Sequence, residues 1–473
     1  MRRGWLSDIF DFMSTLPKST SEALFHECSR DYRFTCDWVY NQLVVLCDGR
    51  VVCGCADPYG LRPVGDLAKQ SLKEIWNSDL VRKIRHDLNE GHCCFCDDCG
   101  LKQILPDGAD PPQRPETLER LPRIFFEPTI QCNLSCFRAV CNRESGIIRT
   151  RRRLRYPLDD FKRLMDEVGP ELIRLDFFNY GDPFMHPQAV EMIEFIKSRY
   201  PHIYLYTSTN GLMLTEEKMA RLVASGMDEI TFSVDGADKE TYSKYRCGGD
   251  FEKLMRIMSR FVSLRNQTGD EVPFINWRYI LFRWNDSNKQ LRKARRLAAE
   301  VGVDRLTWEI TDHPPEAFSR RFIPRSRAWQ RIRQEIWDSS QIGNAIPSRR
   351  FLAKMRPPGG RIIAKSGSET TIPVRVTNAG KEKWRHTSRS GRRLVRLGAQ
   401  LHDANRRLVD LNFARAFLKR SLSAAEADTL QIALPAIDEP GDYWLRFDMV
   451  LEGVDWFASA GSPVVWRRFR IKR

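Results

Sequence analysis

The chain has 473 residues, 42% hydrophobic and 11% aromatic, with 76 Lys+Arg against 61 Asp+Glu and a formal net charge of +15. That composition excludes wholesale disorder and supports cores for about two to four domains. No stretch approaches the roughly 20 apolar residues of a membrane span. The opening segment is basic at Arg2 and Arg3 but meets Asp8 and Asp11 early, so a signal peptide is not expected and a cytoplasmic protein is.

Residues 26–103 form the first predicted domain, rich in cysteine. Nine of the 13 cysteines lie between Cys28 and Cys99, three between Cys132 and Cys141, and Cys247 stands alone. An odd number in a reducing compartment argues against a disulfide framework, and the clustering points to metal. The stretch SLKEIWNSDLVRKIRHDL is the first with helical periodicity. A linker, LPDGADPPQRPE, then marks a boundary through its Pro, Gly and Asp content.

From 121 to 312, apolar runs alternate with amphipathic helix patterns. The predicted strands are 123–129, 172–181, 203–211, 229–236, 276–282 and 305–310. Thr215 and Asp250 are predicted N-caps, and Gly169 and Gly226 predicted helix stops. Six such units predict α/β architecture: a partial (β/α)6 TIM-type barrel or an open doubly wound sheet, with chemistry at the C-terminal strand ends. Within this region Arg151-Arg152-Arg153-Leu154-Arg155 is the densest basic run. It is expected to be solvated surface, with an anionic partner as the alternative. No nucleic-acid motif accompanies it, so nucleic acid is not an expected partner. Residues 313–356 form a helical linker. From 357 to 473, period-two segments broken by Gly, Asn and Asp predict an all-β sandwich of about seven strands, with LSAAEAD (422–428) as a helical interruption.

The residues that carry chemistry follow the first predicted strand. Cys132, Cys136 and Cys141 fall within ten residues, at the active-site position of a barrel strand. Three thiolates can hold three irons of a [4Fe–4S] cluster and leave the fourth open to a small ligand. In the N-terminal domain, Cys96-Asp-Asp-Cys99 with distant Cys36, Cys53 and Cys55 beside an Asp-Gly turn has ligand-like spacing, compatible with zinc or iron–sulfur.

With these motifs in order, residues 121–312 resemble the radical S-adenosylmethionine (SAM) superfamily. Tyr180-Gly181-Asp182-Pro183 looks like that family's Gly-Glu-Pro segment, Thr209-Asn210 follows strand three, and Ser233-Val-Asp235-Gly236 with Arg246 looks like its Ser-x-Asp-Gly…Arg stretch. The resemblance implies these residues as SAM contacts, with Cys132, Cys136 and Cys141 as cluster ligands. It also implies reductive cleavage of SAM to a 5′-deoxyadenosyl radical that abstracts hydrogen from a small-molecule, saccharide or peptide substrate. An electron donor such as flavodoxin or ferredoxin is implied with it. The family's Cys-x3-Cys-x2-Cys is here Cys-x3-Cys-x4-Cys. Closure entropy for two extra residues is on the order of 0.5 kcal/mol, small beside metal–thiolate binding. Residues 26–103 resemble SPASM-type auxiliary-cluster domains, which implies Cys36, Cys55, Cys96 and Cys99 as ligands of a second [4Fe–4S] cluster. Cys53 is an alternative to Cys55, and zinc an alternative to iron. Residues 357–473 look like an immunoglobulin-like module of cell-envelope saccharide proteins. A non-catalytic zinc- or iron–sulfur-stabilised scaffold with a degenerate SAM site is the second functional expectation.

Overall fold

The computed structural model describes residues 32–473 except 107, 138–140, 142–144, 270–271, 312–313, 315, 324–325, 333–334, 337–350, 381, 388–393, 407, 453–454 and 461. The opening segment, Cys28 and much of the expected helical linker lie outside the described residues. The chain divides into two compact units, Met1–Ser225 and Gly226–Arg473.

In the first unit, β1 (Phe34–Thr35) pairs with β5 (Gln103–Ile104), while β2 (Gln42–Val45), β3 (Arg50–Val52) and β4 (Gly65–Asp66) form an antiparallel meander. The parallel strands β6 (Arg123–Phe126), β7 (Arg174–Asp176) and β8 (Tyr204–Thr209) continue from it, because β2 pairs in parallel with β6. Every residue of β2 and β6 is buried, as expected of strands covered on both faces. The cysteine-rich segment is therefore stitched into the sheet beside the first strand of the βα series.

Helices Leu158–Val168, Ala189–Arg199 and Glu216–Ala224 follow β6, β7 and β8. Their apolar positions recur at helical spacing, and Phe161, Leu164, Met165 and Val168 are buried on one face of the first. Thr215 caps its helix as expected by accepting from the Lys218 amide at 3.3 Å. Gly226 closes it in the left-handed region at φ 74°, whereas Gly169 ends the earlier helix while still right-handed. There a Cβ would stand 2.9 Å from the Tyr200 ring.

The second unit opens with β9 (Glu229–Ser233), β10 (Phe274–Leu281) and β11 (Arg305–Ile310), all parallel. Asp250 caps the long helix Phe251–Gln267 through the Lys253 amide at 2.9 Å. The expected α/β fold class is thus the one observed, with six parallel strands each overlapping its predicted run, β10 starting two residues early. Nine further strands follow: β12 (Ala353–Arg356), β13 (Ile362–Lys365), β14 (Thr370–Asn378), β15 (Val395–His402), β16 (Leu408–Phe417), β17 (Ala427–Leu434), β18 (Gly441–Leu451), β19 (Asp455–Trp456) and β20 (Val465–Lys472). They make a three-stranded sheet, β12-β14-β17, and a larger sheet, β13-β20-β18-β15-β16, with β19 on β18. Alternate residues of both sheets share one core that includes Val374, Val376, Leu397, Ile432, Phe447 and Trp384.

Among the described residues eight strands, β13 to β20, fall within 357–473, where about seven are expected, and β12 precedes that boundary. One expectation for this region fails. LSAAEAD is a turn instead of a helix: Ala425 sits at φ 66° and its amide bonds the Asn378 carbonyl, while Leu422 and Trp384 exchange backbone hydrogen bonds. These non-local partners override the helical propensity of the alanines.

Candidate cofactor and cluster sites

Three strand-end segments of the first unit meet around Cys132. Asp182, fully buried, is central: its amide donates to the Gln131 carbonyl at 2.8 Å, and its carboxylate accepts from the Phe184 amide at 3.0 Å. The other carboxylate oxygen accepts from the Thr209 hydroxyl and the Asn210 amide, each at 2.8 Å. The Asn210 side-chain amide then donates to Asn133 at 2.8 Å and toward the Cys132 sulfur at 3.7 Å, which also takes the Leu134 amide at 3.5 Å. Gly181 lies at φ 81°, and a Cβ there would stand 2.5 Å from the Thr129 carbonyl oxygen. Only glycine lets the loop after β7 press against the one after β6. Pro183 opens a single 3₁₀ turn behind Asp182.

Cys132 and Cys141 line a cavity of about 50 Å³ with Ile130, Gln131, Leu134, Ile148 and Met185. Cys136 is buried beside them, and residues 138–140 lie outside the described residues. Burial pushes the Cys132 thiol up to about 12, with Asp182, Cys141 and Cys136 adding to the rise. The structure thus brings together Cys132, Cys136, Cys141, Asp182, Thr209 and Asn210. Tyr180 points elsewhere: its hydroxyl donates to the backbone carbonyl of Cys55.

In the second unit Asp235, fully buried, accepts from the Arg246 guanidinium at 2.6 Å and the Ile280 amide at 2.7 Å. Its own carbonyl accepts from Asn285 at 3.0 Å. Ser233 accepts from Arg278 at 2.9 Å. Gly236 packs so tightly that a Cβ would stand 2.2 Å from the Tyr242 amide nitrogen. The three residues predicted here form one hydrogen-bonded strand end with Arg278 and Asn285, neither of which carries a sequence motif.

The cysteine-rich segment gathers its thiols around a 3₁₀ turn, Cys94–Cys96, held by amide bonds from Cys96 to Cys93 and from Cys99 to Cys96. Cys53, Cys96 and Cys99 line a cavity of about 20 Å³ with Gly54, Arg62 and Phe95. Burial raises the Cys36 and Cys55 thiols to about 11 each, with Cys99 contributing to both. Burial also raises Cys53, which feels Cys99 and Cys36. Cys47 is a packing thiol, as its type suggests. It is buried, its amide donates to Glu127 at 3.1 Å, and its sulfur meets the Arg153 carbonyl at 3.2 Å. Among the described residues no three His, Cys, Asp or Glu side chains converge on a single-ion position. A four-iron cube instead takes its thiolates at separate corners.

The arginine run is solvated surface only in part: Arg152 and Arg155 are exposed, whereas Arg151 is buried. Arg151 is buried and forks onto Glu127 at 2.8 and 3.1 Å, Arg152 pairs with Asp66, and Arg153 with Asp160. Glu127 also accepts from Asn179 at 3.1 Å. These guanidiniums hold the cysteine-rich segment to the βα sheet. Nothing local signals the Arg151 and Arg152 partners, which lie 24 and 86 residues away.

Similarity to known protein families falls on these same segments. Residues 126–275 match the model of the radical SAM superfamily, and residues 36–100 that of SPASM, an iron-sulfur cluster-binding domain. The chain carries a radical SAM domain preceded by a SPASM domain. It is 28% identical over 192 residues to a tungsten-containing aldehyde ferredoxin oxidoreductase cofactor-modifying protein of Pyrococcus furiosus, covering 39% of this chain and 49% of that one. It is 27% identical over 145 residues to mycofactocin maturase MftC of Mycobacterium tuberculosis, covering 30% and 34%. The crystal structure of Streptococcus suis SuiB bound to S-adenosylmethionine aligns over 40% of each chain at 14% identity and a TM-score of 0.33. The chain spans at most about half the length of these relatives.

The two domains imply a [4Fe–4S] cluster with SAM and auxiliary iron–sulfur clusters. The residues present fit the first group: three soft thiols share one loop, two of them border one cavity, and Cys132 takes two N–H donors of the kind that stabilise a cluster thiolate. They fit the second as well, with three cysteines around one cavity and Cys36 nearby. No helix among the described residues is long and apolar enough to cross a membrane.

Proposed function

We propose that this chain is a radical SAM enzyme with two [4Fe–4S] clusters. The observation that carries the reading is the closure of three strand-end loops on Cys132 through Asp182, Thr209 and Asn210. In this reading Cys132, Cys136 and Cys141 hold the first cluster. Gly181, Asp182, Pro183, Thr209 and Asn210 shape the SAM cradle, to which Tyr180 belongs through its loop. Ser233, Asp235 and Arg246 are cofactor-binding residues of the second unit. When bound, cluster and SAM supply a 5′-deoxyadenosyl radical that abstracts hydrogen from the substrate.

The protein's part is orientation and exclusion of water. Asp182 accepts from three N–H or O–H donors and its own amide donates to the Gln131 carbonyl, so the cradle is fixed before ligand arrives. Ile130, Leu134, Ile148 and Met185 set four apolar side chains around the thiol cavity. The substrate is a small molecule, saccharide or peptide, and reduction comes from a flavodoxin or ferredoxin. The reducing cytoplasm suits the thiols. Residues 26–103, 121–312, 313–356 and 357–473 are the proposed auxiliary-cluster domain, barrel, linker and immunoglobulin-like sandwich. The two-sheet core of the last supports that assignment.

Anaerobic purification and reconstitution test the proposal. The expected result is a brown protein with about eight irons per chain, as two four-iron clusters. Reduction in the presence of SAM should release 5′-deoxyadenosine. A colourless chain that holds only zinc and leaves SAM intact refutes it and favours the scaffold reading.

A further inference from the structure

Two cysteines, Cys53 and Cys55, flank Gly54 directly after β3. We propose that Cys53, with Cys36, Cys96 and Cys99, completes the ligand set of the N-terminal cluster, while Cys55 stays outside it and its peptide anchors the SAM loop through Tyr180. The inference rests on the two-cluster reading above.

The geometry separates the two cysteines. Cys53 shares a cavity with Cys96 and Cys99, and Cys55 is not part of that lining. Gly54 is wedged between them: a Cβ would stand 2.6 Å from Leu101 and 3.5 Å from the Trp38 ring. The chain bends directly after Cys53, with the Asp57 amide returning to the Gly54 carbonyl at 3.5 Å. An extended strand would carry residues 53 and 55 on one face, but this bend removes that equivalence. Past it, the Cys55 carbonyl accepts the Tyr180 hydroxyl, and Tyr180 directly precedes Gly181 and Asp182 of the cradle. Arg62 fixes the cavity rim by donating to the Phe95 carbonyl at 2.8 Å and taking its own amide to Asp57 at 2.8 Å. The cavity thus has a built wall on the Cys53 side, and the Cys55 backbone carbonyl is engaged by Tyr180.

The test uses the full chain, reconstituted anaerobically, with iron, sulfide and zinc counted per chain and the reduced protein examined by electron paramagnetic resonance. Cys53→Ala should fall from about eight irons to about four while keeping the signal that SAM perturbs; Cys55→Ala should keep about eight and both signals. Cys53→Ser repeats the first comparison with an isosteric side chain, and circular dichroism of each variant separates a lost ligand from a lost fold. Tyr180→Phe should keep about eight irons but bind SAM roughly two- to tenfold more weakly, the worth of one hydrogen bond. Loss of about four irons in Cys55→Ala overturns the ligand assignment whatever Cys53→Ala does. Unchanged SAM affinity in Tyr180→Phe overturns the anchor. A wild-type chain with about four irons, none lost in Cys36→Ala or Cys53→Ala, overturns the two-cluster reading and this assignment together.

Discussion

Arg151 distinguishes a solvated arginine run from a structural one. Its guanidinium and the Glu127 carboxylate are both fully buried and meet in a two-bond fork, and one nitrogen also donates to the Pro58 carbonyl at 2.9 Å. Arg151→Ala would leave Glu127 buried with only the Cys47 amide and the Asn179 side chain as donors. Breaking a buried pair from one side costs about 3–5 kcal/mol. With a urea slope of about 3 kcal/mol/M, the unfolding midpoint should fall by about 1–1.7 M. Arg152→Ala removes a pair whose arginine is 61% exposed, worth about 0–1 kcal/mol, so its midpoint should move by about 0.3 M or less. Glu127→Gln combined with Arg151→Met should recover part of the loss, because neither charge is then left buried alone. Fluorescence-monitored urea unfolding of the metal-free chain reads all three. Equal small shifts for Arg151→Ala and Arg152→Ala would refute the reasoning and restore the solvated reading.

Three further outcomes follow from particular contacts. Gly181→Ala should lower stability by about 2–5 kcal/mol, combining a left-handed backbone with overpacking against the Thr129 carbonyl; a midpoint within about 0.2 M of wild type would show that the loops do not press together. Thr209→Val strips the hydroxyl that donates to Asp182 and accepts the Gly211 amide at 3.0 Å, leaving buried partners unmet at about 1–3 kcal/mol. It should weaken SAM binding measured by calorimetry, and undiminished affinity would remove Thr209 from the cradle. Asp176 is buried: desolvation works against its charge, but Arg123 and Arg174 outweigh it and hold the carboxyl below its ordinary 3.8. Its contribution is therefore present above about pH 3.8 and lost as pH falls through the depressed value. The stability gap between wild type and Asp176→Asn should close on acidification below pH 4, and a gap that widens would contradict the assignment.

The sequence made the βα series legible because largely buried strands leave short, mainly apolar runs between amphipathic helices, and caps such as Thr215 and Asp250 act within three residues. The proposed cradle was legible through the family resemblance, whose motifs place Gly181, Asp182, Thr209 and Asn210 at strand ends. What escaped was set by distant partners. Nothing local tells that Arg151 faces Glu127, that Ala425 turns toward Asn378, or that β2 lies beside β6 some 80 residues later. Spacing leaves both Cys53 and Cys55 open, because it counts residues and cannot see the bend after Cys53.

The N-terminal position of the SPASM domain gains a physical meaning from these distant contacts. Because β2 and β6 are parallel, their C-terminal ends lie together, and the Glu127 amide bonds the Val45 carbonyl at 2.9 Å. Cys47, Glu127 and Asn179 then form one hydrogen-bonded row across the ends of β2, β6 and β7, and Tyr180 extends it to Cys55. Every tie lands on the segments from which the Cys132 loop and the Gly181 turn depart. A domain tethered by a linker could shift without disturbing those loops, whereas a domain sharing a sheet and a buried ion pair with them cannot. Stability in the cysteine-rich segment and order in the SAM cradle are therefore coupled, so that loosening the Arg151–Glu127 pair should also weaken SAM binding in proportion to the stability lost.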